Sequence, residues 1–261
     1  MSRLVFREAR PEGEPDGTLL CVHGFPESSW MWNHVLEAAA AAGWRAVAPD
    51  LPGYGDSPYD GPATWDRHLA ALTEFVEEHE LAPLALCVHD WGGLIGLRWA
   101  CEHPDQVRGL VISDTGFFPD GKWHGLADAM RTPGQGEELV AGIDRDGFAG
   151  MLRAVSPGMD DAALDEYFKA YADDDRRRGQ LELYRSGDFS ILERYDLATL
   201  NVPTLVLWGA DDPFAPVAGA HRFAAELPDA RLEVLDGVGH FVFDDVPEQA
   251  AAAVVAHLRR V

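Results

Sequence analysis

The chain has 261 residues, of which 47% are hydrophobic and 25% are charged, a composition typical of a soluble globular protein with a large core. Its 44 acidic and 21 basic residues give a formal net charge of −23. Such a surface repels phosphate backbones and anionic lipids, so we expect no nucleic-acid partner and no membrane partner. The sequence also contains no stretch of the ~18 apolar residues that a membrane-spanning helix needs.

The N-terminal residues and the cysteines indicate the cellular compartment of the protein. The first ten residues contain no uninterrupted apolar segment, so the sequence predicts no signal peptide. Cys21, Cys87 and Cys101 are an odd number in apolar or helical surroundings, which is typical of buried thiols in a reducing compartment. We therefore expect a cytoplasmic protein, either a monomer or a homodimer.

Strands and helices alternate along the first part of the chain. The apolar patterns predict strands at 4–9, 18–23, 45–48, 84–88 and 107–113, and helices at 30–42, 64–80 and 91–101. The alternation stops after residue 113 and resumes with strands at 204–208 and 231–235 and helices near 217–227 and from 247. This order favours an α/β fold with a mostly parallel sheet and helices on both faces. We predict a core domain of residues 1–114 and 201–261, with a helical lid inserted at 115–200.

One turn in the core carries a carboxylate where chemistry is expected. The apolar run from Leu84 ends in His89-Asp90-Trp91, and Gly92 and Gly93 then open a helical pattern. A turn this sharp needs small residues around its apex. A carboxylate at the apex can attack carbon and form an ester with the enzyme. The alternative is that Asp90 only caps the following helix, because Asp suits an N-cap.

Two late loops supply partners for this carboxylate. Asp211 and Asp212 follow the strand at 204–208, and His240 follows the strand at 231–235. The carboxyl ends of parallel strands share one edge of a sheet, so Asp90, an acidic residue and His240 can converge there. Asp114 also follows a strand and is an alternative acid.

Four motifs carry a family resemblance. They are His23-Gly24-Phe25-Pro26-Glu27-Ser28, His89-Asp90-Trp91-Gly92-Gly93, Gly209-Ala210-Asp211-Asp212 and Gly239-His240-Phe241. These motifs resemble those of the epoxide hydrolases of the α/β-hydrolase fold, and the haloalkane dehalogenases, their sister group, share the motif around Asp90. The likeness extends over nearly the whole chain, strongly in the core and weakly in the lid. It implies an α/β-hydrolase fold, with Asp212 as the acid because that residue stands three positions after the glycine.

The resemblance also implies a mechanism that needs neither a cofactor nor a metal. Asp90 attacks an epoxide carbon, and His240, oriented by Asp212, activates a water that hydrolyses the resulting ester to a diol. The backbone N–H groups of Phe25 and Trp91 form the oxyanion hole.

Opening an epoxide also calls for a donor to the departing oxygen. Epoxide hydrolases use two lid tyrosines, and Tyr184 resembles the second of them. The stretch that corresponds to the first, near residues 123–134, contains no tyrosine, so His124, Tyr167 and Tyr171 are the candidates to replace it.

Several other functions stay open from the sequence. A haloalkane dehalogenase would use the same Asp90, with Trp91 and a lid tryptophan such as Trp123 donating to the halide. An ester or lactone hydrolase and a catalytically silent ligand-binding protein are further alternatives. We predict an epoxide hydrolase whose partners are water and a small apolar substrate, with an alkyl halide as the alternative substrate.

Overall fold

A single sheet forms the centre of the protein in the computed structural model, which describes residues 3–261. In chain order the strands are β1 (Phe6–Ala9), β2 (Gly17–Val22), β3 (Trp44–Pro49), β4 (Leu84–His89), β5 (Val107–Ser113), β6 (Thr204–Gly209) and β7 (Ala230–Leu235). Across the sheet they lie in the order β1-β3-β2-β4-β5-β6-β7, and only the β1–β3 pair is antiparallel among these described strands. The predicted α/β fold with a mostly parallel sheet is confirmed.

Helices surround this sheet. They are α1 (Asn33–Ala41), α2 (Trp65–Glu78), α3 (Trp91–Glu102), α4 (Gly125–Arg131), α5 (Gln135–Gly142), α6 (Arg145–Arg153), α7 (Asp161–Phe168), α8 (Asp174–Ser186), α9 (Ala218–Glu226), α10 (Val242–Asp245) and α11 (Pro247–Leu258). Thr64 caps α2 as predicted, since its side chain accepts a hydrogen bond from the Arg67 N–H at 3.3 Å. The helix predicted at 30–42 is only partly α-helical, because Ser29–Trp32 form a 3₁₀ turn. Such turns are common where an α-helix begins.

The register of the central strands sets the geometry of the site. In β2 and β4, Cys21 lies opposite Cys87 and Val22 opposite Val88, and all four side chains are fully buried. The loop after β2 and the turn after β4 therefore leave the sheet side by side. Cys21 and Cys87 are buried thiols, as predicted, whereas Cys101 is only half-buried.

The sequence predicted an irregular stretch followed by helices between β5 and β6. In the structure, residues 114–124 form no helix or strand, and the five helices α4–α8 follow. Arg131 of α4 holds the end of α8: its guanidinium donates to the carbonyl oxygen of Gly187 at 2.8 Å and also to that of Tyr184. Cations suit helix C-termini, where backbone carbonyls lack partners. The contacts thus fix the position of Tyr184. None of the helices described is long and apolar enough to cross a membrane.

Candidate active site

The backbone at Asp90 is strained in the way that the sharp turn requires. Asp90 has φ 48° and ψ −123°, a conformation that non-glycine residues rarely adopt. Two glycines leave room for it. A Cβ on Gly24 would lie 2.4 Å from the Asp90 Cβ, and a Cβ on Gly92 would lie 2.1 Å from the backbone oxygen of Val22. The Asp90 side chain makes no capping hydrogen bond within the described chain, so the helix-cap interpretation loses its support.

The two oxygens of the Asp90 carboxylate have different neighbours. Oδ1 accepts a hydrogen bond from the Phe25 backbone N–H at 2.7 Å, and Oδ2 lies 3.6 Å from Nε2 of His240. The second distance is too long for a direct hydrogen bond, although it keeps the pair in electrostatic contact. Burial alone would raise the pKa of Asp90, but His240 and the Phe25 N–H outweigh it and hold the pKa below its ordinary value. The Asp90 carboxylate is therefore ionised at neutral pH.

His240 is oriented by Asp212. Its Nδ1 lies 2.7 Å from Oδ2 of Asp212, whose other oxygen accepts the backbone N–H groups of Phe214 and Ala215 at 2.7 and 2.9 Å. Burial alone would lower the pKa of His240, but the Asp212 and Asp90 carboxylates outweigh it and raise the pKa well above its ordinary value. The free site thus favours an imidazolium between two carboxylates. The geometry also favours Asp212 over the exposed Asp211 as the acid.

Asp114, the alternative acid, lies close to Asp212 and His240. The polar atoms of Asp114, Asp212 and His240 lie within 4.8 Å of one another. The Asp114 carboxylate accepts hydrogen bonds from the Gly209 N–H at 3.0 Å and the Ser113 hydroxyl at 2.5 Å. Burial raises the pKa of Asp114 well above its ordinary value, and the charge of Asp212 adds to this effect. The hydrogen bonds of Asp114 support the end of β6.

Sequence reasoning missed a second buried histidine behind the site. His89 Nδ1 lies 2.8 Å from Oε2 of Glu27, and its Nε2 donates to the carbonyl oxygen of His240 at 2.8 Å. Burial alone would lower the pKa of His89, but Glu27 outweighs it and raises the pKa to about 9. The buried ion pair holds the backbone of His240 in place. Both residues lie inside the quoted motifs, and the signal was a carboxylate and a histidine in apolar surroundings.

Two spaces meet at Asp90. The larger, which we name the main cavity, has a volume of about 490 Å³, and its walls include Trp91, Trp123 and Phe189. The smaller, the side chamber, has a volume of about 70 Å³. Five residues line both spaces: Asp90, His124, Tyr184, Phe214 and His240. The residues that line only the side chamber are all apolar, namely Phe25, Pro26, Leu126, Met151, Leu152, Val155 and Phe241.

Tyr184 and His124 bring donors to this shared region. The Tyr184 ring packs edge-on against Phe25 and Trp91, at centroid distances of 5.1 and 5.3 Å. Burial and the Asp90 charge raise the pKa of Tyr184 well above its ordinary value, so its hydroxyl keeps its proton. Burial lowers the pKa of His124, and its Nδ1 accepts the Ala127 N–H at 3.3 Å. The proton of the neutral ring therefore belongs on Nε2, which makes that nitrogen a donor.

The structure places the other two candidate donors away from Asp90. The Tyr167 hydroxyl donates to Oδ1 of Asp244 at 2.9 Å, and the Tyr171 ring is buried against Phe148 and Phe168. Neither tyrosine is among the described residues that line the main cavity or the side chamber. The structure therefore does not bring these two tyrosines together with Asp90.

Trp123 reaches the cavity as the dehalogenase alternative requires. Its ring stacks on that of Trp91 with a centroid distance of 5.7 Å and an interplanar angle of 26°. Both indoles line the main cavity beside Asp90.

Comparisons with known proteins agree with the fold. Residues 17–247 match the family model of the alpha/beta hydrolase fold, and the chain belongs to this family. A haloalkane dehalogenase of Mycobacterium marinum is 30% identical, and the match covers 94% of this chain and 86% of the relative. A cis-3-alkyl-4-alkyloxetan-2-one decarboxylase of Xanthomonas campestris pv. campestris is 27% identical, with coverage of 95% and 91%.

Solved structures show the same fold. The crystal structure of a haloalkane dehalogenase from Bradyrhizobium elkani superposes with a TM-score of 0.83 at 24% identity, covering 98% of this chain and 94% of that one. The protein is therefore an enzyme of the α/β-hydrolase superfamily, similar to the haloalkane dehalogenases.

Proposed function

We propose that the protein hydrolyses epoxides to vicinal diols through an ester of Asp90. The observation that carries this proposal is the pair of hydrogen-bond donors, the Tyr184 hydroxyl and the neutral His124 ring, that line the same two spaces as the Asp90 carboxylate. A ring-opening oxygen stays attached to the substrate and needs donors of this kind. We also propose that the helices inserted at 115–200 act as a lid, since they contribute both donors.

In the first step the substrate alkylates the Asp90 carboxylate. Its Oδ1 is held by the Phe25 N–H, so Oδ2 is the free oxygen that attacks an epoxide carbon. The C–O bond of the ring breaks, and the oxygen takes the hydroxyl proton of Tyr184 and accepts a hydrogen bond from His124. Tyr184 is left as a phenolate. Oδ1 becomes the carbonyl oxygen of the ester and stays in the oxyanion hole.

In the second step His240 acts as the base. Ester formation removes the negative charge of Asp90, one of the two charges that raise the pKa of His240. The imidazolium therefore gives up its proton more readily, through solvent to the Tyr184 phenolate that the first step leaves. The neutral ring then takes a proton from the water that attacks the Asp90 carbonyl carbon. The N–H groups of Phe25 and Trp91 stabilise the oxyanion, whose collapse breaks the bond between the carbonyl carbon and Oδ2. The departing alkoxide takes the proton from His240 and leaves as the diol, and the new Asp90 carboxylic acid returns a proton to His240.

The hydroxyl of Tyr184 gives a direct test of the first step. We expect Tyr184→Phe to lower the single-turnover alkylation rate by about 10²- to 10⁴-fold, the usual worth of a positioned acid. The fold should persist because only a hydroxyl is removed. Tyr171→Phe is the matched control and should alkylate at the parent rate, since Tyr171 lies away from the cavities. Equal rates in the parent and Tyr184→Phe would assign the donor role to His124 alone.

Dehalogenation is the second candidate function. The stacked indoles of Trp91 and Trp123 favour it, because a leaving halide needs two N–H donors, and the relative from M. marinum is a haloalkane dehalogenase. The same Asp90 would attack the carbon that bears the halogen, and the halide would leave as a free anion.

A side-by-side assay distinguishes the two functions. With purified protein we expect diol from styrene oxide and little or no bromide from 1-bromobutane, because Tyr184 and His124 suit an oxygen rather than a halide. Trp123→Phe should then change epoxide turnover only modestly. Rapid bromide release that is lost in Trp123→Phe, with inert epoxides, would identify a dehalogenase instead.

A further inference from the structure

The main cavity and the side chamber meet at the reacting atoms and differ greatly in size. Asp90, His240, Tyr184 and His124 form the region that both spaces share. When one oxirane carbon lies at the Asp90 carboxylate and the ring oxygen lies at the Tyr184 and His124 donors, there is therefore space for substituents on two sides of the ring. The two carbons of an oxirane are adjacent, and their substituents point away from one another. A ring with a substituent on each carbon fits this arrangement.

We propose that the substrate is an oxirane substituted on both ring carbons, with a short alkyl arm in the side chamber and a longer arm in the main cavity. This inference rests on the proposed epoxide hydrolysis and specifies its substrate class. Met151 and Val155 then select the length of the short arm, because they line the side chamber and not the main cavity.

The size of the side chamber sets the length of the short arm. An apolar cavity of ~150 Å³ accepts benzene. The side chamber, at about 70 Å³, has roughly half that volume and takes an arm of about three carbons. Its own lining is apolar, so a charged or hydroxylated arm would lose its water without gaining a partner there.

The main cavity suits the longer arm. Its volume is about seven times that of the side chamber, and its outer wall includes the exposed Lys122 and the Arg222–Asp120 ion pair, whose atoms lie 2.5 Å apart. A long arm can therefore pass the aromatic walls formed by Trp91 and Phe189 and end among charged groups and water. The two arms are not interchangeable, so the site also fixes which way round the ring binds.

The test is a series of cis-2,3-disubstituted oxiranes in which one arm is hexyl and the other grows from methyl to pentyl. We expect kcat/KM to rise by about fourfold for each methylene up to about three carbons, because burying a CH₂ is worth ~0.8 kcal/mol, and then to fall. Met151→Ala removes the Cγ, Sδ and Cε atoms from the chamber wall and should move the maximum to a longer arm. Val155→Phe should move it to methyl.

Phe189→Ala is the control, since it enlarges only the main cavity and should leave the short-arm maximum in place. Both Met151 and Phe189 are half-buried, so both variants should fold. Val155→Phe tests the same wall by making the side chamber smaller rather than larger. Turnover of the whole series without a maximum, or a maximum that neither chamber variant moves, would overturn this inference and leave the proposed function standing. No turnover of any oxirane would overturn both.

Discussion

His240→Gln is expected to stop the reaction halfway. Alkylation of Asp90 needs no base, because the carboxylate is already ionised, so the ester should form at nearly the parent rate. Hydrolysis of the ester needs His240 to take a proton from water, and loss of that base should slow the step by about 10²- to 10⁴-fold. Intact-protein mass spectrometry should therefore show the mass of the substrate added to nearly every molecule, on the peptide that contains Asp90.

A matched histidine outside the site controls for this result. His221 is exposed on α9, and His221→Gln should turn over substrate at the parent rate without accumulating an adduct. If His240→Gln loses activity and no adduct forms, His240 is needed before or during the first chemical step, and the proposed division of labour is wrong.

Asp90→Asn should abolish turnover. Removal of a nucleophile that acts together with its base has cost about 10⁶-fold in another hydrolase, and we expect a loss on the order of 10⁵-fold or more. The substitution also removes one of the two negative charges that raise the pKa of His240, so that pKa should fall. An NMR titration of the His240 ring in the parent and in Asp90→Asn measures this change directly.

Asp211→Asn provides the matched control, because Asp211 is an exposed neighbour of the triad residue Asp212. It should leave both turnover and the His240 titration unchanged. A substantial residual rate in Asp90→Asn, with mass spectrometry showing no deamidation back to aspartate, would contradict the role of Asp90. An unchanged His240 pKa would contradict the charge coupling between the two side chains.

The core geometry follows from local sequence patterns. Gly24 and Gly92 allow the backbone of Asp90 to approach the loop after β2, and this requirement can be read from the motifs themselves. Because the carboxyl ends of parallel strands share one edge of a sheet, His240 and Asp212 then lie at the same edge as Asp90. Asp90, Asp212 and His240 lie far apart in the sequence, but they come together because the strands before them run in the same direction. The alternating pattern of strands and helices predicts that direction.

The donors to the leaving group could not be chosen from the sequence in the same way. Tyr167, Tyr171 and Tyr184 all belong to the inserted helices and are all buried, yet only Tyr184 reaches Asp90. The difference comes from how these helices pack, including the Arg131 contacts at the end of α8. The donor state of His124 depends on its hydrogen bond from Ala127, which no spacing predicts.

The chemistry of the leaving group separates two functions that share one nucleophile. In the proposed mechanism, Asp90, Asp212 and His240 would serve an epoxide and an alkyl halide equally well, because both substrates give an ester that water hydrolyses. The side chains above the carboxylate make the distinction. Here a hydroxyl and an imidazole lie beside two indoles, and the residues on the inserted helices therefore decide the substrate.

In the proposed mechanism, water attacks the Asp90 ester and never the substrate. The most direct test is a single turnover in H₂¹⁸O, with the parent enzyme in excess over an epoxide such as styrene oxide. The new hydroxyl of the diol derives from Oδ2 of Asp90, so we predict an unlabelled diol and ¹⁸O in the Asp90 peptide. A diol that carries ¹⁸O after the first turnover, with an unlabelled Asp90, would show direct attack by water and contradict the covalent mechanism.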